Sequence, residues 1–199
     1  MRGSLRMLTL PRKHFRVLYA DPAWEYRTWS AKGENRAPQQ HYDCMPTDEI
    51  CALPVTEIAA DDSVLFLWVY QPMIADAFRV ASAWGFEVRT VGYYWIKTRT
   101  PSLKDGVDPF VVGLGKYTRA GAEQCWICKR GRGLPRVSRS ERQVIFAPLR
   151  EHSRKPDEIA DSIVRLHGDV PRIELFARTP RPGWTVWGNE TTRFEGAAA

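Results

Sequence analysis

The sequence predicts an α/β fold, with a mostly parallel sheet covered by helices on both faces. Seven short runs rich in β-branched and aromatic residues are spread along the 199 residues, and helical patterns lie between several of them. With 44% hydrophobic residues, the chain is long enough for one domain with a core and too short for two of ordinary size. We therefore expect a single domain over residues 1–199, with its core between about residues 15 and 190.

Each element is assigned from its pattern and from the residues that bound it. The Thr98–Ala122 stretch has no periodicity, and a loop of that length in a compact domain is typically a lid or a recognition loop. Three helices are expected: a short one beginning at Thr47, one from Pro72 to Trp84 ended by Gly85, and Asp157–His167, which follows Pro156 and is closed by Gly168. The predicted strands are Arg16–Ala20, Ser63–Val69, Glu87–Lys97, Glu123–Lys129, Gln143–Ala147, Arg172–Ala177 and Thr185–Gly188.

Charge and hydropathy narrow the kinds of partner. The longest uninterrupted apolar run, Val64–Tyr70, is far shorter than the roughly 18–20 residues of a membrane span. The first residues lack the apolar segment of a signal peptide, so we expect a soluble cytoplasmic protein. A net charge of +6 favours an anionic partner.

The basic residues concentrate in one segment. Six of the fourteen residues from Lys129 to Arg142 are basic, and the glycines, proline and serines among them predict a loop. Either the loop is simply solvated, or its arginines contact phosphates of a nucleic-acid backbone. The candidates for such contacts are Arg130, Arg132 and Arg136.

The four cysteines do not predict a metal site. Cys125 and Cys128 form a Cys-x-x-Cys, but a spacing of three in a strand directs the two side chains to opposite faces. No second Cys/His pair has ligand spacing, and we expect reduced thiols, with no metal.

Residues 21–24 read Asp-Pro-Ala-Trp, directly after a short apolar strand. The carboxylate of Asp21 and the carbonyl of Pro22 are two acceptors whose directions are fixed by the proline ring, and Trp24 can supply a flat wall. Such a site suits a planar ring with an exocyclic amino group, as in adenine. The alternative is an ordinary turn with a tryptophan anchored in the core.

A second polar cluster lies between residues 150 and 158, at the start of the last predicted helix. Lys155 can reach from there toward a carboxylate or hydroxyl, although the segment also suits simple helix capping. Further on, the segment from Gly188 to Glu190 follows a strand and suits a ribose or an amino-acid group, because glycine allows a close backbone approach.

Eight blocks of residues follow one another along the chain: Asp21-Pro22-Ala23-Trp24, His41–Met45, Leu65–Val69, Trp95–Thr98, Gly113–Gly115, His152–Glu158, Glu174–Arg178 and Gly188–Glu190. In this order they resemble the MT-A type adenine-N6 methyltransferase family, which contains the catalytic subunit of the eukaryotic mRNA N6-methyladenosine writer. The resemblance covers nearly the whole chain, and the chain is similar in length to bacterial and phage members of the family.

The resemblance implies a Rossmann-like, S-adenosylmethionine-dependent methyltransferase whose catalytic motif precedes the cofactor-binding strand. It implies transfer to the N6 amino group of adenine in DNA or RNA, with DNA favoured, and a homodimer by analogy. Asp21, Pro22 and Trp24 match the catalytic motif. The implied cofactor contacts are Asp21, Lys155, Arg178, Asn189 and Glu190, and the candidate substrate contacts are Trp24, Tyr26, Tyr42, Lys97, Arg119, Arg130, Arg132 and Arg136.

The sequence departs from the family at Ala23, where a second proline is usual. Alanine frees the backbone of Pro22, so its carbonyl is less firmly directed. A non-catalytic member that binds nucleic acid or a partner is therefore the alternative to an active enzyme.

Overall fold

A computed structural model describes residues 9–25, 44–99, 110–113, 117–151 and 154–192. The described elements are β1 (Phe15–Ala20), α1 (Thr47–Cys51), a 3₁₀ turn (Val55–Glu57), β2 (Ala59–Val69), a second 3₁₀ turn (Gln71–Met73), α2 (Ile74–Ala83), β3 (Glu87–Thr98), β4 (Ala122–Arg130), β5 (Val144–Pro148), α3 (Asp157–His167), β6 (Arg172–Leu175) and β7 (Thr185–Trp187).

The seven strands form one sheet in the order β5-β3-β4-β2-β1-β6-β7. Strand β4 runs antiparallel to its neighbours β2 and β3, and the other four pairings are parallel. The predicted α/β class with a mostly parallel sheet is confirmed, and every predicted strand is present.

Several predicted boundaries are wrong. The helix expected from Pro72 begins as the 3₁₀ turn Gln71–Met73 and becomes α-helical only at Ile74, while Trp84 is its C-cap. Strand β6 ends two residues early because Phe176 has φ of 60°, outside the extended region. Strand β2 begins four residues early, at Ala59, and is eleven residues long.

Apolar side chains form two core clusters, one on each face of the sheet. The first cluster includes Ile50 of α1 and Val80 of α2, and the second includes Ile159 and Ile163 of α3. Helices therefore cover both faces, as predicted, because each amphipathic helix buries its apolar side against the sheet.

The cysteines of β4 follow the same alternation. Cys128 lies in the first cluster and Cys125 in the second, so the two thiols are on opposite faces of the sheet. Burial raises the pKa of both thiols, that of Cys128 to about 12. The predicted separation of these side chains is confirmed, and both are free cysteines.

Candidate active site

A cleft lies at the carboxyl ends of β1 and β6, which are neighbours in the sheet. The chain leaves β1 toward β2 on one side and leaves β6 toward β7 on the other, so the two strands flank a topological switch point. Ligands of open α/β sheets bind in the crevice outside such a point. The cleft has an empty volume of about 420 Å³ including its open mouth, and its lining includes Tyr19, Asp21, Lys155, Glu174, Phe176 and Arg178.

The segment after β1 is held by backbone hydrogen bonds. The N–H of Trp24 donates to the carbonyl of Pro22 at 2.8 Å. The N–H of Met45 donates to the carbonyl of Ala23 at 2.8 Å, and the N–H of Glu25 donates to Met45 at 3.1 Å. Residues 21–25 are thereby fixed against the start of α1, although Ala23 lacks the constraint of a proline.

Trp24 lies in the core and not on an open wall of the cleft. Its side chain belongs to the first core cluster and the residue is only 5% exposed. The bridge to Met45 fixes the backbone on both sides of it, which directs the ring inward. The expectation that Trp24 stacks on a base therefore disagrees with this placement, and the alternative of a core anchor fits it.

Asp21 begins a chain of alternating charges along the edge of the sheet. The ammonium of Lys155 is 2.7 Å from one Asp21 oxygen and 3.3 Å from a carboxylate oxygen of Glu123. The other oxygen of Glu123 is 2.5 Å from the Nζ of Lys97. Strand β2 separates β1 from β4, and Lys155 crosses it with its Nζ 5.2 Å from the ring centroid of Trp68.

The chain of charges acts differently on its two carboxylates. Burial raises the pKa of Asp21, and the neighbouring Lys155 only partly opposes this effect. Burial also tends to raise the pKa of Glu123, but Lys155 and Lys97 together outweigh it, so that pKa is lowered. The difference follows from the two cations that contact Glu123, against the single lysine beside Asp21.

A second network supports the floor of the cleft. The guanidinium of Arg181 donates to Glu174 at 3.1 Å and to Asp157 at 3.1 Å. Arg150 donates to the other oxygen of Asp157 at 2.6 Å and to the carbonyl of Lys155 at 2.6 Å. These contacts tie the backbone that carries Lys155 to β6 and to the first turn of α3.

Burial raises the pKa of Glu174, although Arg181 partly opposes it. Two acidic groups with raised pKa, Asp21 and Glu174, therefore line the same cleft. Such pairs of perturbed carboxyl groups are typical of functional sites.

The other side of the cleft is built from residues 176–190. Phe176 has a positive φ of 60°, a strained conformation for a bulky residue that is most often retained where function needs it. The backbone of Gly188 packs so closely on the 176–177 segment that an added Cβ would lie 2.6 Å from the carbonyl oxygen of Ala177. Arg178 donates to Glu190 at 3.3 Å across this contact, and Asn189 is partly buried beside them.

The structure brings some candidate residues together and leaves others apart. Lys155 and Arg178 line the cleft with Asp21, and Glu190 contacts Arg178. Lys97 contacts Glu123, which lies between Lys97 and Lys155 in the chain of charges. Arg119 is exposed just before β4, and Tyr26 and Tyr42 lie outside the described residues.

Arg130 and Arg132, at the far end of β4, lie at the opposite edge of the sheet. Arg130 pairs with Ser63, at the amino-terminal part of β2, and Arg132 forms an ion pair with Asp62 at 2.7 Å. Arg136 follows in the loop after them, near the end of α3. The structure therefore does not bring these three arginines to the cleft.

Sequence reasoning missed Glu123 and Arg181 as site residues. Glu123 reaches Lys155, which lines the cleft, because β4 is antiparallel and its first residues therefore lie at the carboxyl ends of β1 and β2. A carboxylate before the buried residues of the strand was the available signal, but the edge of the sheet at which it lies could not be assigned without the strand direction. Arg181 follows β6 in a turn, where arginine is unremarkable.

A charged cleft at the switch point of a mostly parallel sheet, with an Asp-Pro-x-Trp segment at its rim, is the arrangement of a Rossmann-like methyltransferase. A family model described as MT-A70 matches residues 15–190. The chain belongs to the MT-A70 family, whose members are methyltransferases. No helix among the described residues is long and apolar enough to cross a membrane.

Curated relatives agree with this assignment. The chain is 32% identical over 197 residues to "Type II methyltransferase M.MunI" of a Mycoplasma species, covering 91% of this chain and 79% of the relative. It is 30% identical over 180 residues to an MT-A70-like N(6)-adenosine-methyltransferase of Drosophila melanogaster, covering 88% of this chain and 27% of the relative. The human N(6)-adenosine-methyltransferase catalytic subunit METTL3 is 29% identical over 180 residues, and the chain covers 28% of it. The chain thus spans about a quarter of these eukaryotic relatives.

Proposed function

We propose that this protein transfers a methyl group from S-adenosylmethionine to the N6 amino group of adenine in DNA. The observation that carries the proposal is the Asp21 carboxylate, which directly follows β1 at the rim of the cleft and is paired with Lys155 at 2.7 Å. DNA is favoured because the match to the relative named a type II methyltransferase extends over most of both chains.

The residues of the cleft fit S-adenosylmethionine. Lys155 and Arg178 supply cationic donors for its carboxylate, and Glu190 supplies acceptors for ribose hydroxyls or the amino group. The close approach of Gly188 to Ala177 leaves space for a ligand beside the backbone.

Asp21 and the carbonyl of Pro22 would bind the adenine amino group. That nitrogen is a weak nucleophile because its lone pair is delocalised into the ring. Two acceptors that take its two hydrogens favour a pyramidal nitrogen with the lone pair directed away from them. The carbonyl of Pro22 already accepts the N–H of Trp24, and its second lone pair remains available for the base.

S-adenosylmethionine, when bound, supplies an electrophilic methyl group on a sulfonium. The amino nitrogen becomes positively charged as it is methylated, and the Asp21 carboxylate stabilises that charge at short range. The nitrogen must then lose a proton, and the raised pKa of Asp21 makes its carboxylate a better proton acceptor than an exposed aspartate.

Ala23 is compatible with activity in this arrangement. The usual second proline would restrict Pro22, but here the hydrogen bonds of Trp24 and Met45 restrict the same backbone. We therefore assign Trp24 to holding this segment in place, and the active enzyme is favoured over a non-catalytic scaffold.

The Asp21→Asn variant tests the proposal, because asparagine keeps the shape of the side chain and removes its charge. We expect methyl transfer to fall by about 10²–10³-fold, as when one preorganised group that stabilises transition-state charge is lost. S-adenosylmethionine binding, measured by calorimetry, should be weakened but measurable. Asp48→Asn is the matched control, since Asp48 is 84% exposed on α1 and forms an ion pair with the surface residue Arg79.

The assay uses cofactor with a labelled methyl group on matched single-stranded and duplex DNA and RNA, followed by mapping of the methylated base. Wild-type rates from Asp21→Asn would refute the mechanism, and faster methylation of RNA than of DNA would refute the proposed polymer. Label on a base other than adenine would refute the proposed acceptor.

A further inference from the structure

The loop that connects β4 to β5, residues 131–143, lies far from the cleft; we refer to it as the arginine loop. Helix α3 begins beside the cleft at Asp157 and ends at His167, whose Nδ1 lies 3.0 Å from the carbonyl oxygen of Pro135 in the arginine loop. From Asp157 to His167 the helix axis rises by about 15 Å, over ten steps of about 1.5 Å each. A ligand of the arginine loop therefore cannot be the base or the cofactor in the cleft.

Hydrogen bonds fix the arginine loop against α3. The N–H of Val137 donates to the carbonyl of Leu166 at 2.6 Å. Ser162 of α3 donates to Glu141 at 2.6 Å, and Arg165 donates to the same carboxylate at 3.0 Å. Within the loop, Ser138 donates to Glu141 at 3.0 Å. The loop backbone is thus held before any ligand binds.

The arginine loop directs its acidic side chain inward and three of its arginines outward. Its one acid, Glu141, points inward with a side chain that is 12% exposed, and its hydrogen bonds from Arg165 and Ser162 lower its pKa. Arg136, Arg139 and Arg142 are exposed, and none of them forms an ion pair with the described part of the chain. The loop therefore presents three positive charges outward while its negative charge is neutralised from behind.

We propose that the arginine loop binds phosphates of the nucleic acid, as a contact separate from the cleft; the choice of nucleic acid as partner rests on the proposed function. Arginine binds phosphate oxygens through paired N–H donors, and a loop that is already ordered loses little conformational entropy on binding. A duplex longer than about five base pairs, at 3.4 Å per pair, can extend over the 15 Å between the cleft and the arginine loop.

The test is the salt dependence of duplex DNA binding, measured by fluorescence anisotropy without cofactor. We compare the wild-type protein with the triple variant Arg136→Ser, Arg139→Ser, Arg142→Ser. Each lost phosphate contact should reduce the slope of log K against log salt by about 0.9, so the triple variant should lose up to about 2.7. In steady-state methylation, we expect KM for DNA to rise and kcat to stay within about twofold of wild type, because the cleft is untouched.

The matched control is Arg79→Ser, whose salt-dependence slope is compared with the slopes of the single variants Arg136→Ser, Arg139→Ser and Arg142→Ser. Arg79 is exposed on α2, across the sheet from α3, and its loss changes the net charge by the same amount. An unchanged slope in the triple variant would overturn the proposal. So would an equal effect of Arg79→Ser, which would indicate a general charge effect.

The outcome is independent of the fate of the proposed function. If no base is methylated but the slope falls as expected, the phosphate contact stands and the reaction is wrong. A triple variant that melts at a lower temperature and loses kcat without a change of slope would assign the three arginines to folding, and the proposal would fail.

Discussion

The placement of Trp24 gives the sharpest test of how the segment after β1 works. The residue is 5% exposed, so Trp24→Ala removes a side chain that is almost fully buried in the first core cluster. A tryptophan buries about 150–250 Å², which at about 25 cal/mol per Å² corresponds to about 4–6 kcal/mol. Measured losses for Phe or Trp to Ala in cores are about 3–5 kcal/mol, and we expect a loss of this size.

For a chain of this length, each kcal/mol lowers the melting temperature by about 2–4 °C, which gives an expected decrease of about 6–20 °C. Urea unfolding and a thermal scan, both followed by circular dichroism, measure the two quantities. Trp24→Phe is the companion variant. The indole Nε1–H is buried without a hydrogen-bond partner in the described part of the chain, and phenylalanine removes that unpaired donor. This gain opposes the cost of the smaller ring, so we expect a change under about 2 kcal/mol.

A base-stacking tryptophan would behave differently. Loss of a stacked aromatic weakens nucleic-acid binding by about 1–3 kcal/mol per base and leaves the stability of the free protein nearly unchanged. A Trp24→Ala protein that melts at the wild-type temperature but has a raised KM for DNA would therefore refute the assignment of Trp24 to the core.

Two further predictions concern the charges and the backbone of the cleft. In Lys155→Met we expect the acidic limb of the pH–rate profile to move to higher pH, because Lys155 opposes the burial that raises the pKa of Asp21. In Glu123→Gln the limb should move to lower pH, because the negative charge of Glu123 also raises the pKa of Asp21. The proposed reaction needs ionised Asp21, so activity is lost as the pH falls through the pKa of Asp21. Measuring kcat against pH for both variants checks the directions of the two shifts. Shifts in the same direction would contradict the prediction. Gly188→Ala should destabilise the protein by about 1–3 kcal/mol and weaken cofactor binding, because the added Cβ would lie 2.6 Å from the Ala177 oxygen and 2.9 Å from the Ala177 nitrogen. The melting temperature measures the first effect and calorimetry with the cofactor measures the second. If both values are unchanged, this close backbone approach is not required.

The strands and helices were largely predictable because their signals are local. Glycines with positive φ at 85 and 168 end α2 and α3, and alternation along β4 separated the two cysteines correctly. An element boundary was predicted wrongly where the fold interrupts a local sequence pattern. The strand-like pattern that begins at Arg172 continues to Ala177, but the strand stops where Phe176 takes a positive φ at the cleft.

The candidate site was predictable only in part, because a sequence does not give strand direction. Asp21 and Lys155 were both expected to contact the cofactor, and the structure places their side chains 2.7 Å apart. The direction of β4 determines which of its charged residues lie near Asp21. It brings Glu123, at the start of the strand, into the chain of charges, and it carries Arg130, at the end, to the opposite edge.

The same antiparallel strand explains why a basic protein has an almost neutral group of charges beside Asp21. Two carboxylates, Asp21 and Glu123, alternate there with Lys155 and Lys97, so the four charges cancel. Had β4 run parallel to its neighbours, its basic end would lie beside Asp21, and an extra cation there would lower the pKa of that carboxylate and weaken it as a proton acceptor. The fold instead places Arg130 and Arg132 at one edge of the sheet and Asp21 at the other. The two proposals together predict that affinity for the polymer and reactivity toward the base can be changed by separate sets of residues.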